Sequence, residues 1–124
     1  MPFVTICGTP EDVSQEYLEK LMQETIKMVN DFANMHYSER DVMVWFPSDR
    51  MAKGLGHEFS IDVVGVDSSR QQGYRNKAEV FAGEFCRVVA TFFPQYWRIE
   101  CSLRAFTGHP DGHAILTQPR GGDA

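Results

Sequence analysis

Pro2-Phe3-Val4-Thr5-Ile6-Cys7, followed at once by Gly8-Thr9-Pro10-Glu11-Asp12, decides how the rest of the chain is read. Phe3 and Thr5 fall on one side of an extended segment, Val4 and Ile6 on the other, which is the period of a β-strand. Thr9 to Asp12 carries a helix-start pattern: a capping hydroxyl, a proline suited to the first helical position, and acids facing the positive end of the helix dipole. Beyond it, Leu18, Leu21, Met22, Ile26, Val29, Phe32 and Ala33 recur at spacings of three and four, with Glu16, Lys20, Glu24, Lys27 and Asp31 opposite. That stripe predicts an amphipathic helix ending near Met35.

The same unit then repeats. Val42 to Phe46 alternates and stops at Pro47, predicting a second strand buried on at least one side. Residues 48–56 hold two glycines and read as a loop. A third strand is expected over Glu58 to Val66, and Asp67-Ser68-Ser69 to Gly73 marks another loop. From Tyr74 to Phe93 the stripe Ala78, Phe81, Ala82, Phe85, Val88, Val89 and Phe92 is helical, and Pro94 closes it. Tyr96 to Leu103 reads as a fourth strand. The stretch GHPDGHAILTQPRGGDA is rich in Gly and Pro, so residues 109–124 are expected to be a partner-wrapping arm or a disordered tail on a domain of residues 1–108.

The expected fold is therefore α/β: two βαβ units forming a four-stranded sheet with two helices on one face. The other face, with Trp45, Phe59, Ile61 and Ile99 assigned to it, would need cover, and oligomerisation supplies that.

Composition narrows the functional classes. The chain has 124 residues and a formal charge of −5, which argues against a nucleic-acid partner, since phosphate recognition needs a basic face. No apolar run reaches the length of a membrane span, and the first residues lack the features of a signal peptide, so a cytoplasmic protein is expected. Cys7, Cys86 and Cys101 are odd in number and widely spaced in apolar contexts, the pattern of reduced, buried thiols. A nucleophilic role for Cys7 is the lesser reading. His109 and His113 in HPDGH lack a third ligand at suitable spacing, so no metal is expected, and no other cofactor.

Met1-Pro2 opening into an apolar strand, Val44 to Gly54 (VWFPSDRMAKG), Ala82-Gly83-Glu84 and Phe93 to Glu100 (FPQYWRIE) together resemble the tautomerase superfamily. The likeness is to its migration-inhibitory-factor and carboxymethyl-hydroxymuconate-isomerase branches, and it covers roughly residues 2–106. The resemblance implies a homotrimer with active sites between neighbouring subunits. It implies a catalytic Pro2, exposed by removal of Met1 and acting as a general base on a keto-enol or unsaturated carboxylic acid.

It also puts Arg40 where an arginine holds substrate carboxylate, and places Arg75, with Arg70 as competitor, in a region where relatives bind anions. Arg98 and Glu100 take positions that reach into the neighbouring subunit's site. A surface ion pair of Arg40 with Glu39 or Asp41, solvated loop arginines, and an interfacial Arg98–Glu100 pair are the structural alternatives. Lys53 and His57 read as exposed loop residues that could approach the pocket. The CxxC of the inhibitory-factor branch is missing, and Glu11-Asp12 stand where small-dicarboxylate isomerases carry an arginine.

Two other functions remain open at this point. One is a dehalogenase or hydratase of the same fold, with protonated Pro2 as acid and Glu100 activating water. The other is a non-catalytic ferredoxin-like binding module, which shares the β-α-β-β-α-β order.

Overall fold

A computed structural model describes residues 2–10, 12–33, 36–47, 58–66, 74–104 and 112–119, with the side chains of residues 74–76 outside that description. The elements in chain order are β1 (Phe3–Cys7), α1 (Gln15–Ala33), β2 (Met43–Trp45), β3 (Glu58–Val64), α2 (Tyr74–Phe92), β4 (Arg98–Arg104) and β5 (Gly112–Thr117). They build one mixed sheet of five strands in the order β2-β1-β3-β4-β5. β1 runs parallel to β2, antiparallel to β3; β3 runs parallel to β4, and β5 returns antiparallel to β4.

The α/β class and the two βαβ segments agree with the sequence reading, but the sheet has five strands rather than four. The extra strand comes from the expected arm or tail. Gly112 allows this: a Cβ there would sit 2.4 Å from the carbonyl oxygen of Ala78, so only glycine lets β5 lie against α2. The strands flanking each helix are direct neighbours, with no strand interposed. A ferredoxin-like fold splits its βαβ units, so that arrangement is not the one adopted here.

Helix α1 starts later than the Thr9-Pro10 pattern predicts. Pro10 closes a turn with Val13, and Ser14 becomes the cap, its Oγ accepting from the Tyr17 amide at 3.2 Å. Strand β4 likewise starts at Arg98 rather than Tyr96. Tyr96 sits in the preceding turn, its ring stacked on Phe59 and its hydroxyl donating to the Gly8 carbonyl at 2.5 Å.

The two helices touch through Phe32 and Phe81, and through Tyr17 and Phe92. Their buried residues Leu21, Ile26, Val29, Phe81, Phe85 and Val89 share one core with Val4, Ile6, Phe59, Ile61, Val63, Ile99, Cys101 and Leu103. Phe59, Ile61 and Ile99 thus lie under the helices, not on the open face as first assigned. Alternation from Phe59 carries Phe59, Ile61 and Val63 to one side and leaves Val64 on the other, and the register pairs Phe59 with Ile99 on the helix side. Of the four residues assigned to the open face, Trp45 alone is on it, and β2 is accordingly less buried than expected.

Candidate functional site

The opposite face of the sheet carries the candidate site residues. In register across it lie Met43, Phe3, Val64 and Arg104; then Trp45, Thr5, Asp62, Ser102 and His113; then Cys7, Ser60, Glu100 and Ile115; and at the far end Glu58, Arg98 and Thr117. Two regions of this face differ in character. A corner of Phe3, Met43 and Trp45 is 36%, 41% and 56% exposed, with the Phe3 and Trp45 rings 5.7 Å apart. The rest carries the charged groups Glu58, Asp62, Arg98, Glu100, Arg104 and His113, set among small polar side chains and the exposed Ile115.

Pro2 stands immediately before β1, buried, with its carbonyl accepting from the Met43 amide at 3.1 Å. That bond ties Pro2 to the start of β2, so its backbone is held by two strands rather than one. Because β2 begins beside β1, the turn that precedes it is at the same end of the sheet. Arg40 is in that turn and is exposed. The turn is well braced: Asp41 accepts from the Ser38 amide at 2.8 Å and from its hydroxyl at 2.9 Å, and Asn30 grips the backbone of Tyr37 from α1. The Ser38 amide and hydroxyl hold the Asp41 carboxyl below the usual carboxylate range. Asp41 thus bonds to Ser38 and not to Arg40, so the pairing suggested as an alternative role for Arg40 is not formed with Asp41. Glu39 accepts from Gln23 instead.

Helix α2 follows the end of β3, so its first turn, including Arg75, belongs to the Pro2 end of the fold. The Arg75 side chain is outside the described residues, as are Arg70, Lys53, His57 and His109 in their entirety. Arg104 also belongs to this end and was not singled out from the sequence. It sits level with Phe3 two strands away, about 10 Å at ordinary strand spacing, and pairs with Asp62 at 3.0 Å. The signal for it was available: Arg98, Glu100, Ser102 and Arg104 share one parity, but the strand was expected to stop at Leu103.

Arg98 and Glu100 are at the other end. By register, Arg98 is level with the residue two beyond Cys7, so roughly 20 Å of strand separates it from Pro2 in one chain. A single subunit therefore does not bring Pro2, Arg98 and Glu100 together. Arg98 and Glu100 themselves do meet: Nη2 of Arg98 donates to Oε2 of Glu100 at 2.8 Å. The other carboxylate oxygen, Oε1, is 3.0 Å from Nε2 of His113 on β5. These contacts, His113 first and Arg98 next, keep the Glu100 carboxyl below its ordinary pKa despite partial desolvation.

The thiols are poor nucleophiles. Cys7 is on the open face, exposed rather than buried as expected, and its pKa is raised by desolvation and by the Asp62 charge. Burial pushes Cys86 up to about 11 and also raises Cys101 well above the ordinary thiol value. Among the described residues no three His, Cys, Asp or Glu side chains gather as a metal site would require, and no helix is long and apolar enough to cross a membrane.

Comparison with known proteins adds no family to this geometry. No family model matches the chain, and neither a curated protein nor a solved structure does.

Proposed function

We propose that the chain is an isomerase of tautomerase type, assembling as a homotrimer and using Pro2 as the general base on a small anionic keto-enol or unsaturated carboxylic acid. The observation that carries this reading is the strand order β2-β1-β3-β4 with parallel, antiparallel and parallel contacts. Two βαβ units laid side by side produce that order, as the sequence resemblance implies. It also puts Pro2 at a sheet end and leaves one face that none of the described residues covers.

Once Met1 is removed, Pro2 carries a secondary amine. Ordinary α-amino groups titrate near 8, and desolvation together with neighbouring arginines favours the neutral base. On an unsaturated acid the prolyl nitrogen would take a proton from the carbon alpha to the carbonyl and return it to the vinylogous carbon. On an enol it would take the hydroxyl proton and return it to the carbon that becomes alpha to the ketone. No atoms are gained or lost and no electrons leave. Arg40, on the braced turn at the same end, and Arg98 of a neighbouring copy would together hold the substrate carboxylate, and a cation beside the developing enolate lowers the barrier. The roughly 20 Å between Pro2 and Arg98 in one chain is what a site shared between subunits predicts.

The hydratase reading needs Glu100 as a water-activating base. Both of its oxygens are already engaged, by Arg98 and His113, which favours isomerisation over water addition. The decisive experiment compares wild type with Pro2→Ala in phenylenolpyruvate ketonisation, alongside halide release from 3-chloroacrylate. The expected result is ketonisation by protein whose mass lacks Met1, lost by about a hundredfold or more without the general base. An unchanged rate in Pro2→Ala would sink the proposal, as would a stable monomer by sedimentation.

A further inference from the structure

Among the charged groups that neither the family resemblance nor the proposed mechanism uses, His113 stands against Glu100. His113 lies on β5, opposite Ser102, and alternation turns it to the same face as Arg98 and Glu100. It is half-exposed, and Nε2 approaches Glu100 Oε1 at 3.0 Å while Arg98 Nη2 takes Oε2 at 2.8 Å.

The division of the two oxygens matters. A carboxylate left alone beside a guanidinium prefers to take it with both oxygens, in two parallel bonds. Glu100 does not do so here, because His113 holds the other oxygen. Arg98 is consequently engaged through one nitrogen only, and the remainder of its planar donor fork is not spent on Glu100. That fork has the geometry to take a carboxylate from a bound ligand.

We propose that His113 is a positioning residue for anion binding: by holding one oxygen of Glu100, it keeps Arg98 open to the substrate carboxylate. The inference rests on the reading that Arg98 and Glu100 enter the Pro2 site of a neighbouring copy. The described charged groups facing His113 are Arg98, Glu100 and Arg104 from β4 and Glu58 and Asp62 from β3. Both helices lie on the far side of the sheet. β5 adds only Ile115 and Thr117 to this face, so removing His113 leaves Arg98 as the nearest competitor for the freed oxygen.

The prediction is specific. In His113→Ala, Glu100 turns both oxygens onto Arg98 and competes with substrate, so KM for phenylenolpyruvate rises about tenfold, the size of one charge-assisted hydrogen bond, while kcat stays within about twofold. His113→Gln, whose amide donates a similar bond, recovers most of the loss. The double variant His113→Ala/Glu100→Gln also recovers it, because the competing charge is gone. A role in fold stability alone would not give rescue by deleting a second partner of the same network. The proposal is overturned if KM is unchanged in His113→Ala, or if the double variant is no better than the single. The two levels of failure separate cleanly: an inactive wild type, or an active Pro2→Ala, removes the isomerase reading and this inference with it. Loss of activity in Pro2→Ala with unchanged KM in His113→Ala removes this inference alone.

Discussion

The two faces of β3 and β4 are made from the same fourteen residues, yet they differ in almost every property. On the helix side, Phe59, Ile61, Val63, Ile99, Cys101 and Leu103 are all but inaccessible. On the other side, Glu58, Ser60, Asp62, Val64, Arg98, Glu100, Ser102 and Arg104 face outward, with charges joined in pairs along and across the strands. The inner face is packed against the chain's own helices. The outer face carries paired charges and is covered by none of the described residues, so apolar burial is concentrated on one side of the sheet and charge on the other.

Breaking the inner face should have the largest effect. Phe59 stacks on Tyr96 with ring centres 4.1 Å apart and also packs on Phe93. Phe59→Ala is expected to cost about 3–5 kcal/mol by loss of burial and creation of a cavity, read by chemical denaturation. A cost under about 1 kcal/mol, in the range of a surface change, would mean the division between the faces is wrong. Gly112→Ala comes next, because its Cβ would overlap the Ala78 backbone and push β5 away from α2. We expect about 1–3 kcal/mol, with hydrogen exchange accelerated in β5 while β1 and β3 stay protected.

The apolar corner of the outer face sharpens the contrast. Trp45→Ser should change the folding free energy of the isolated chain by no more than about 0.5 kcal/mol, since the ring is largely exposed. In a trimer that buries this corner, sedimentation should show association weakened about tenfold or more, as for an aromatic anchor. Equal association in the two proteins would place the interface elsewhere.

The smallest effect concerns pH. The Glu100 carboxyl titrates below its unfolded value, so its network stabilises the fold above the ordinary glutamate range near 4.3. That contribution is lost as pH falls through the depressed native value. Glu100→Gln should flatten this part of the stability curve by no more than about 1 kcal/mol, because the pair is partly exposed. Thermal melts between pH 3 and 6 measure it.

Most of the secondary structure was legible from periodicity. The α1 stripe and the alternation in β1 and β3 have one reading each, since a shift of one residue in a strand would expose its whole apolar set. Ends were harder. Ser14 displaced Thr9 as the cap of α1, and Tyr96 left β4 to anchor a turn, because both outcomes depend on partners distant in sequence. Strand β5 was missed for a related reason. Its Gly- and Pro-rich surroundings weaken the local signal, and its pairing needs α2 already in place.

At the candidate site, Pro2, Arg40, Arg98 and Glu100 could be named from residue type and position. Their grouping could not. Arg98 and Glu100 share a face by parity, but only the register of the sheet puts them at the end away from Pro2. Only the return of β5 brings His113 to Glu100, from thirteen residues further along the chain.

The sequence by itself determined that two strand-helix-strand units form, because apolar period and turn chemistry are local properties of the chain. The tertiary structure alone decided which sheet face is covered, that a fifth strand joins, and that two regions of opposite chemistry occupy the open side. Those outcomes follow from register and from backbone contacts such as Gly112 on Ala78, and neither is written in the spacing of any single segment.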